Sequence, residues 1–583
     1  MDSAGKAKIL EASAKHPKPA DKTFQYGTAG RENAVPRNRE RTGCFVDELT
    51  FDSNVLDPVF FRVALVAALR SRKLGGQTIG IMITASHNPP EDNGVKLVDP
   101  MGEMLEASWE AYATQLANAP TDKALVDLYE QLQGALKLKS DVGPIANIVF
   151  ARDTRESGPA LVSALVDGLK AVGASYVDSN VLTTPQLHYL VRCINTKGTP
   201  YEYGEPTETG YYKKLADAYK KVMKGRKSTG SVIVDCANGV GGIKLADLVK
   251  YLPSPEEGGV NVKIVNSDSW VPERLNSQVC EYGLLLKSRF ALANKFNKCG
   301  ADFVKTQQRP PPSSKAGPLA RCASLDGDAD RIVYYFIDSD NSFRLLDGDK
   351  IATLAASFIG DLAKSAGLAD KLKIGVVQTA YANGSSTAYI TKSLKLPVVC
   401  TPTGVKHLHH AATKFDVGVY FEANGHGTIV FSNAALKTLA SHEPQSPAQA
   451  SAIDCLRALT ELINQAVGDA LSDLLLVEVI LAHKAWGPKE WDSTYTDIPN
   501  RLVRVEVPDR NRFKAVDAER RLEEPKGVQE QIDALVSKYK QGRSFARASG
   551  TEDAVRVYAE AATRGEADDL ASKVANVVLK GGQ

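Results

Sequence analysis

Charge of one sign is nearly absent in excess. The 583 residues include 71 Lys and Arg against 69 Asp and Glu, a formal net charge of only +2. That balance excludes the basic footprint on which nucleic-acid binding ordinarily rests. Long hydrophobic runs are also missing. The longest apolar stretches, 59–69 and 470–482, are interrupted by Arg62 and by Asp473 and Glu478. Neither reaches the ~18 uninterrupted apolar residues of a membrane span. Residues 1–16 lack the apolar core of a secretory signal. Cysteine is sparse: eight, at 44, 193, 236, 280, 299, 322, 400 and 455, with no C-x-x-C pair. Scattered in this way they read as thiols of a reducing compartment, not as a disulfide framework or a zinc site. Gly (45) and Pro (28) are near average usage, which excludes a collagen-like or largely low-complexity chain. The expectation is a cytoplasmic protein with neither nucleic acid nor membrane as partner, and of about four domains at roughly 150 residues each.

What is present is a recurring unit. An apolar strand, a polar Gly-containing turn and an amphipathic helix appear in order from 147 (N-I-V-F-A), from 231 (S-V-I-V-D-C) and from 373 (K-I-G-V-V-Q). This is the pattern of α/β layers. From about 456 the pattern changes to a β-like run at Leu502–Val507, charged helices around 515–540, two further short strands and a closing helix with Leu570, Val574, Val577 and Val578 on one face. The predicted class is α/β, with three similar α/β domains (1–195, 196–345 and 346–455) and a smaller α+β domain (456–583). Composition shifts at 194–210 and 441–452 mark linkers, and 306–318 reads as a proline-rich surface insertion.

Four segments carry chemistry. At 84–89, T-A-S-H-N-P follows a strand predicted over Ile79, Ile81 and Ile83. Loops after strands are where α/β folds bind ligands. Ser86 beside His87, with Lys96 further on, supplies a nucleophile with acid/base partners, or simply a polar turn. At 325–331, L-D-G-D-A-D-R places three carboxylates at alternate positions, so Asp326, Asp328 and Asp330 can converge on one hard divalent cation. An EF-hand is excluded because its sixth and twelfth positions would be Arg331 and Ile337. A solvated acidic turn is the alternative. At 422–427, E-A-N-G-H-G sits between two apolar strands, with Glu422 and Asn424 alternating so that both can meet vicinal hydroxyls; an ordinary hairpin turn has the same composition. At 547–553, R-A-S-G-T-E-D offers the Arg547 guanidinium, the Ser549 and Thr551 hydroxyls and the backbone of Gly550, the parts of a phosphate nest or of a charged hairpin, with Arg556 nearby. N-G-V-G-G at 238–242 is no dinucleotide fingerprint, since Lys244 stands where the third Gly belongs. The H-L-H-H run at 407–410 reads as the start of a helix.

In this order the four loops resemble those of the α-D-phosphohexomutase superfamily, whose four domains surround a central cleft and give it one loop each. The resemblance implies Ser86 as a phosphoserine, one Mg²⁺ on Asp326, Asp328 and Asp330 beside Ser86, a sugar loop at Glu422 and Asn424, and a phosphate loop at Arg547, Ser549, Gly550, Thr551 and Arg556. The T-P-T-G-V-K stretch adds Thr403, Gly404 and Lys406 as sugar contacts. Lys96 and Arg331 would supply positive charge. His87, Lys96 and His426 are the candidates for proton transfer, and the sequence does not choose among them. Y-G-T-A-G-R at 26–31 resembles the family's Y-G-T-A-G-F-R without the Phe, which puts Arg31, the counterpart of an active-site arginine, one position early. Three features point to the branch acting on N-acetylglucosamine phosphates: the early serine loop, the stretch E-D-N-G-V-K-L-V-D-P-M-G-E-M-L, and Asn424 where glucose- and mannose-type relatives commonly have Ser. The implied reaction interconverts N-acetylglucosamine 6-phosphate and 1-phosphate through a sugar bisphosphate, on the way to UDP-N-acetylglucosamine. Because the bisphosphate must turn without escaping, the fourth domain is predicted to be a hinged lid. The rivals are a glucose or mannose phosphate mutase and a non-catalytic sugar-phosphate sensor; a binder has no need of a phosphorylatable serine.

Overall fold

The computed structural model describes residues 3–24, 26, 49–52, 55–138, 143–276, 299–549 and 554–582. Three sheets follow one plan. The first joins β1 (Leu49–Asp52), β2 (Thr78–Ile83), β3 (Asp92–Val98), β4 (Asn147–Arg152) and β5 (Ser175–Val181) in the order β1-β3-β2-β4-β5. The second joins β6 (Ser231–Asp235), β7 (Asn261–Val265), β8 (Arg321–Leu325), β9 (Ile332–Ile337) and β10 (Phe343–Leu346) in the order β10-β9-β8-β6-β7. The third joins β11 (Ile374–Thr379), β12 (Val398–Thr401), β13 (Val417–Phe421) and β14 (Gly427–Phe431) in the order β12-β11-β13-β14. In each, three strands run parallel, and one of them turns back into an antiparallel hairpin: β2 with β3, β8 with β9, β13 with β14. The hairpin-forming strands are buried almost throughout, as expected of strands covered by helices on both faces.

Local sequence accounts for the helices that cover them. Helix Asp57–Lys73 opens on Pro58 and stops where Gly75 and Gly76 take left-handed φ of 72° and 88°, a conformation that costs glycine nothing. It packs against Gly158–Ala171 on one side of the first sheet. Helix Thr184–Thr196, opened by a capping box between Thr183 and Gln186, packs against β2.

The C-terminal sheet is antiparallel. It comprises β15 (Asn500–Glu506), then a separate ribbon of β16 (Lys514–Val516) and β17 (Arg521–Glu524), then β18 (Arg543–Ala548) and β19 (Ala554–Glu560), with the main sheet ordered β15-β19-β18. Two differences from the sequence reading stand out. The charged stretch from 514 to 524 is a ribbon, not a helix, because Asp517, Ala518 and Glu519 all take φ above 50° at its turn. The division placed between 455 and 456 falls inside helix Pro447–Leu462. That helix and Ala470–Lys484 pack on Glu208–Met223 and Gly348–Ser365, beneath the second and third sheets. Every residue from Ala470 to Leu481 is buried, so this helix shows no polar face by which its layer could be read from sequence. One continuous core runs under the second and third sheets and takes in one face of the first through Met82, Val98, Val149 and Ala151, while the other face of the first sheet and the fourth sheet have cores of their own. Among the described residues, six cysteines are free thiols and no helix is long and apolar enough to cross a membrane.

Candidate active site

All four loops singled out in the sequence are the turns of antiparallel hairpins. The Ser86 segment connects β2 to β3, the aspartate loop β8 to β9, the E-A-N-G-H-G loop β13 to β14, and the Arg547 loop β18 to β19. The first three are topologically equivalent, each leaving the C-terminal end of a parallel strand, where open α/β sheets hold ligands.

Ser86 is fully buried, and its hydroxyl donates to Asp326 Oδ2 at 2.7 Å. Its φ is +49°, a left-handed conformation that costs a non-glycine residue ~1–3 kcal/mol. Other groups hold the loop in that shape. The Arg155 guanidinium donates to the carbonyls of Ser86 (3.0 Å), Asn88 (3.1 Å), Pro89 (2.6 Å) and Asp92 (2.9 Å) and to Asp153 Oδ2 (3.0 Å). Asn276 Nδ2 adds bonds to the Ser86 and Asn88 carbonyls at 3.0 and 3.1 Å. The metal loop presses against the serine loop: a Cβ on Gly327 would meet the Ser86 carbonyl oxygen at 2.5 Å.

Asp326, Asp328 and Asp330 are buried, and one carboxylate oxygen from each lies within 4.8 Å of the others. Lys96, from β3, donates to Asp328 Oδ2 and Asp330 Oδ2, both at 2.9 Å, and Thr184 donates to Asp328 Oδ2 at 2.6 Å. Arg331 Nε stands 3.6 Å from Asp326 and 3.7 Å from Asp330. Burial, then the charges of Asp330 and Asp328, push the Asp326 carboxyl well above its ordinary range. Burial opposes the charge on Asp330 too, but Lys96, His426 and Arg331 outweigh it and hold that carboxyl well below its ordinary range. Oδ1 of Asp328 has no hydrogen-bond partner despite being buried. Three converging carboxylates, with Asp328 Oδ1 and Asp330 Oδ1 both lacking a hydrogen-bond partner, fit a divalent cation such as Mg²⁺, whose coordination number leaves positions for phosphoryl oxygens.

Arg331 Nη1 donates to His87 Nδ1 at 2.8 Å, which makes Nε2 the protonated nitrogen of that ring. Burial and the Arg331 charge drive the His87 pKa well down, so the imidazole is neutral. His426 Nδ1 lies 3.3 Å from Asp330 Oδ1. Arg331 and His426 form an isolated antiparallel bridge, and Ile332 N donates to the Gly425 carbonyl at 3.2 Å, so the aspartate and E-A-N-G-H-G loops are stitched together. The approach requires glycine: Gly425 has φ +90°, and a Cβ there would meet the Ile332 carbonyl oxygen at 2.0 Å. Glu422 and Asn424 point to the same side, with Asn424 Nδ2 at 3.4 Å from Glu422 Oε2, and Gly404 N donates to Glu422 Oε1 at 3.3 Å.

Arg547 stands opposite Arg556, which stands opposite Arg504, so three arginines form a row across β18, β19 and β15. Thr403 N and Oγ1 donate to Glu519 Oε2 at 2.9 and 2.6 Å, and the same oxygen lies 3.2 Å from Arg547 Nη1. Ser549 is buried at the start of its loop. Lys406 instead pairs with the buried Glu110 of the first layer. Arg31, Gly550 and Thr551 lie outside the described residues.

The sequence reading missed Arg155, Asn276, Thr184 and Glu519. Arg155 had a visible signal, since R-D-T-R follows β4, the strand beside β2, and loops after parallel strands share one end of the sheet. Nothing local marks Asn276 or Glu519.

Comparison with known proteins identifies the family. Residues 347–486 match the model of phosphoacetylglucosamine mutase AMG1, domain III. Residues 64–124 and 128–199 match phosphoglucomutase/phosphomannomutase, alpha/beta/alpha domain I, and 502–577 match its C-terminal domain. The chain is 47% identical to the phosphoacetylglucosamine mutase of Candida albicans, covering 97% of each, and 46% identical to that of Homo sapiens, covering 98% of this chain and 97% of the relative. Among solved structures, N-acetylphosphoglucosamine mutase of Aspergillus fumigatus in complex with GlcNAc-6P and magnesium is 62% identical, with a TM-score of 0.90 over the whole of both chains. With sequence and fold in agreement, the chain belongs to the phosphoacetylglucosamine mutase family of the α-D-phosphohexomutase superfamily.

Proposed function

We propose that the protein interconverts N-acetylglucosamine 6-phosphate and N-acetylglucosamine 1-phosphate, the isomerisation that supplies the 1-phosphate for nucleotide activation to UDP-N-acetylglucosamine. The observation that carries this is the buried contact of Ser86 Oγ with Asp326, inside the carboxylate triad and beside Lys96 and Arg331. A phosphoryl group on that oxygen sits among fixed positive charges and needs little more than alignment.

Phospho-Ser86 donates its phosphoryl group to the sugar's unphosphorylated hydroxyl. The Oγ–P bond breaks, a new P–O bond forms on the sugar, and the hydroxyl proton leaves. The bisphosphate turns, and its other phosphoryl group returns to Ser86. Mg²⁺ on Asp326, Asp328 and Asp330 supplies electrostatic stabilisation of the phosphoryl oxygens. Lys96 and Arg331 add charge that is already oriented. Of the two histidines, His426 is oriented to accept the proton, because its Nδ1 faces Asp330 and its Nε2 has no hydrogen-bond partner. His87 already accepts from Arg331 and presents an N–H. Glu422 and Asn424 meet the sugar hydroxyls, with Thr403 and Gly404 alongside, while Arg547, Ser549 and Arg556 take the distal phosphate. Because Ser86 is sealed from solvent, substrate entry requires movement, and the C-terminal sheet is the element we infer to swing. The sugar bisphosphate serves as both intermediate and activator, and the place of action is the cytoplasm.

Intact-mass measurement of one phosphate on Ser86, together with conversion of N-acetylglucosamine 6-phosphate, tests the proposal. Ser86→Ala is expected to lose both. Near-normal turnover by that variant would remove the nucleophile assignment.

A further inference from the structure

The turn between β16 and β17 places a carboxylate where a phosphate ligand is expected. A single oxygen of Glu519 accepts from the backbone N–H and the hydroxyl of Thr403 and lies against the Arg547 guanidinium. A backbone N–H, a hydroxyl and a guanidinium converging on one oxygen make an anion site. Here a side chain of the protein fills it. The turn holds Glu519 there through three consecutive left-handed, non-glycine residues, Asp517, Ala518 and Glu519. A loop relaxed by local preference alone would not combine these. The contact also spans two layers, since Thr403 belongs to the third and Arg547 to the fourth.

Resting on the mutase reading above, we propose that Glu519 is an internal stand-in for the substrate's phosphate: it ties the C-terminal sheet to the third layer before sugar phosphate binds, and the arriving phosphate displaces it from Arg547. A phosphate and a carboxylate on the same guanidinium repel each other, so occupancy by one weakens the other. Glu519 is a positioning residue that makes no contact with the reacting atoms. It sets how tightly the distal phosphate is held, and so how readily the bisphosphate lets go in order to turn.

The test is titration of the full-length protein with inorganic phosphate by calorimetry, alongside inhibition of turnover by the same ion. Glu519→Gln keeps the shape and the hydrogen-bond acceptor but removes the charge. It is expected to bind inorganic phosphate about fivefold more tightly, the upper range for a partly exposed ion pair, and to lower KM for sugar phosphate in parallel. Glu519→Ala should do the same. Both gains should vanish when Arg547 is also changed to Met, because the competition acts through that guanidinium. Unchanged or weaker phosphate binding by Glu519→Gln, or a raised KM, would overturn the proposal and make Glu519 a support for Arg547. Phosphate binding does not depend on the reaction, whereas wild-type turnover of N-acetylglucosamine 6-phosphate tests the mutase reading by itself, so the two can fail separately.

Discussion

Arg155 is the most informative residue to perturb, because it braces from beneath the loop that carries Ser86, the nucleophile of the proposed reaction. Its side chain is fully buried and makes five hydrogen bonds, four of them to carbonyls between Ser86 and Asp92. Arg155→Lys preserves the charge but offers at most three donors from a point in place of a planar fork. At least two of the five buried acceptors then lose this partner, at ~1–3 kcal/mol each, for a total of about 2–6 kcal/mol. The Asn276 amide still reaches the Ser86 and Asn88 carbonyls, which favours the lower half of that range. Ser86, held at a φ of +49°, then relaxes toward an ordinary conformation and carries its hydroxyl away from Asp326. A displacement of ~1 Å in a phosphoryl-transfer geometry costs ~10²-fold in rate. The expected result is kcat lowered about a hundredfold, KM changed little because the groups proposed to hold the sugar and the distal phosphate lie in other layers, and a lower thermal unfolding midpoint. Steady-state kinetics and a melting curve read both. Wild-type kcat with an unchanged midpoint would refute the reasoning, since it would mean the loop holds its shape unaided.

Two further outcomes follow from the buried charges. Asp328→Asn removes one hard ligand while keeping the acceptor for Thr184, and should cut Mg²⁺-dependent turnover by at least ~10²-fold and raise the Mg²⁺ concentration needed for half activity; unaltered Mg²⁺ dependence would take Asp328 out of the ligand set. Burial, reinforced by the charge of Asp347, pushes the Asp497 carboxyl up from 3.8 to about 7, with Lys350 and Lys305 pulling the other way. The folded state therefore keeps a proton that the unfolded chain gives up, so the stability contributed by Asp497 is complete below about pH 4 and is lost as pH rises through about 7. Asp497→Asn should remove that loss and be more stable than wild type at pH 8, by at most about 4 kcal/mol, but not at pH 4. Parallel urea-unfolding midpoints for the two proteins from pH 4 to pH 8 would show that Asp497 does not titrate in this way.

The legible part of the site was legible because its chemistry is concentrated in contiguous hairpin turns. D-G-D-A-D-R carries three ligands and a cation within six residues, and strands flank it on both sides. The groups that went unread act across long separations. Asn276 reaches Ser86 over 190 residues, Thr184 reaches Asp328 over 144, and Glu110 takes up Lys406 over 296. Nothing in the local pattern of those residues reports the partner. The division near 456 failed for a different reason. A helix buried on every side, such as Ala470–Lys484, carries no amphipathic stripe from which to infer the layer that it joins. The ribbon at 514–524 looked helical because its charged residues suit an exposed helix, and only its left-handed turn shows otherwise.

The connections between the loops are unequal, and the inequality matches what the reaction demands. The serine, metal and sugar loops are locked together by buried contacts: Ser86 on Asp326, Lys96 on Asp328 and Asp330, Thr184 on Asp328, the Arg331–His426 bridge, and glycines whose Cβ atoms would collide with a neighbouring loop's backbone. Moving any one of them would break several buried polar contacts at once. The C-terminal sheet is held to the third layer differently, by a small apolar cluster of Phe545 and Tyr558 on Ala380 and Tyr381, by Gly384 N donating to the buried Glu560, and by two polar links that each have one partly exposed member. Arg543 bonds to the carbonyls of Ala380 and Ala382 and to Glu560, while Glu519 bridges Thr403 and Arg547, with Arg543 and Glu519 35% and 22% exposed. The other member of each pair, Glu560 or Arg547, is buried, so only the Arg543 and Glu519 ends exchange readily with water. A bisphosphate that must turn end over end needs a phosphoryl-transfer centre that stays fixed and a distal grip that lets go. Three interlocked hairpin turns suit the first, and in our proposal the arginine row, on a sheet with a core of its own, serves as the second.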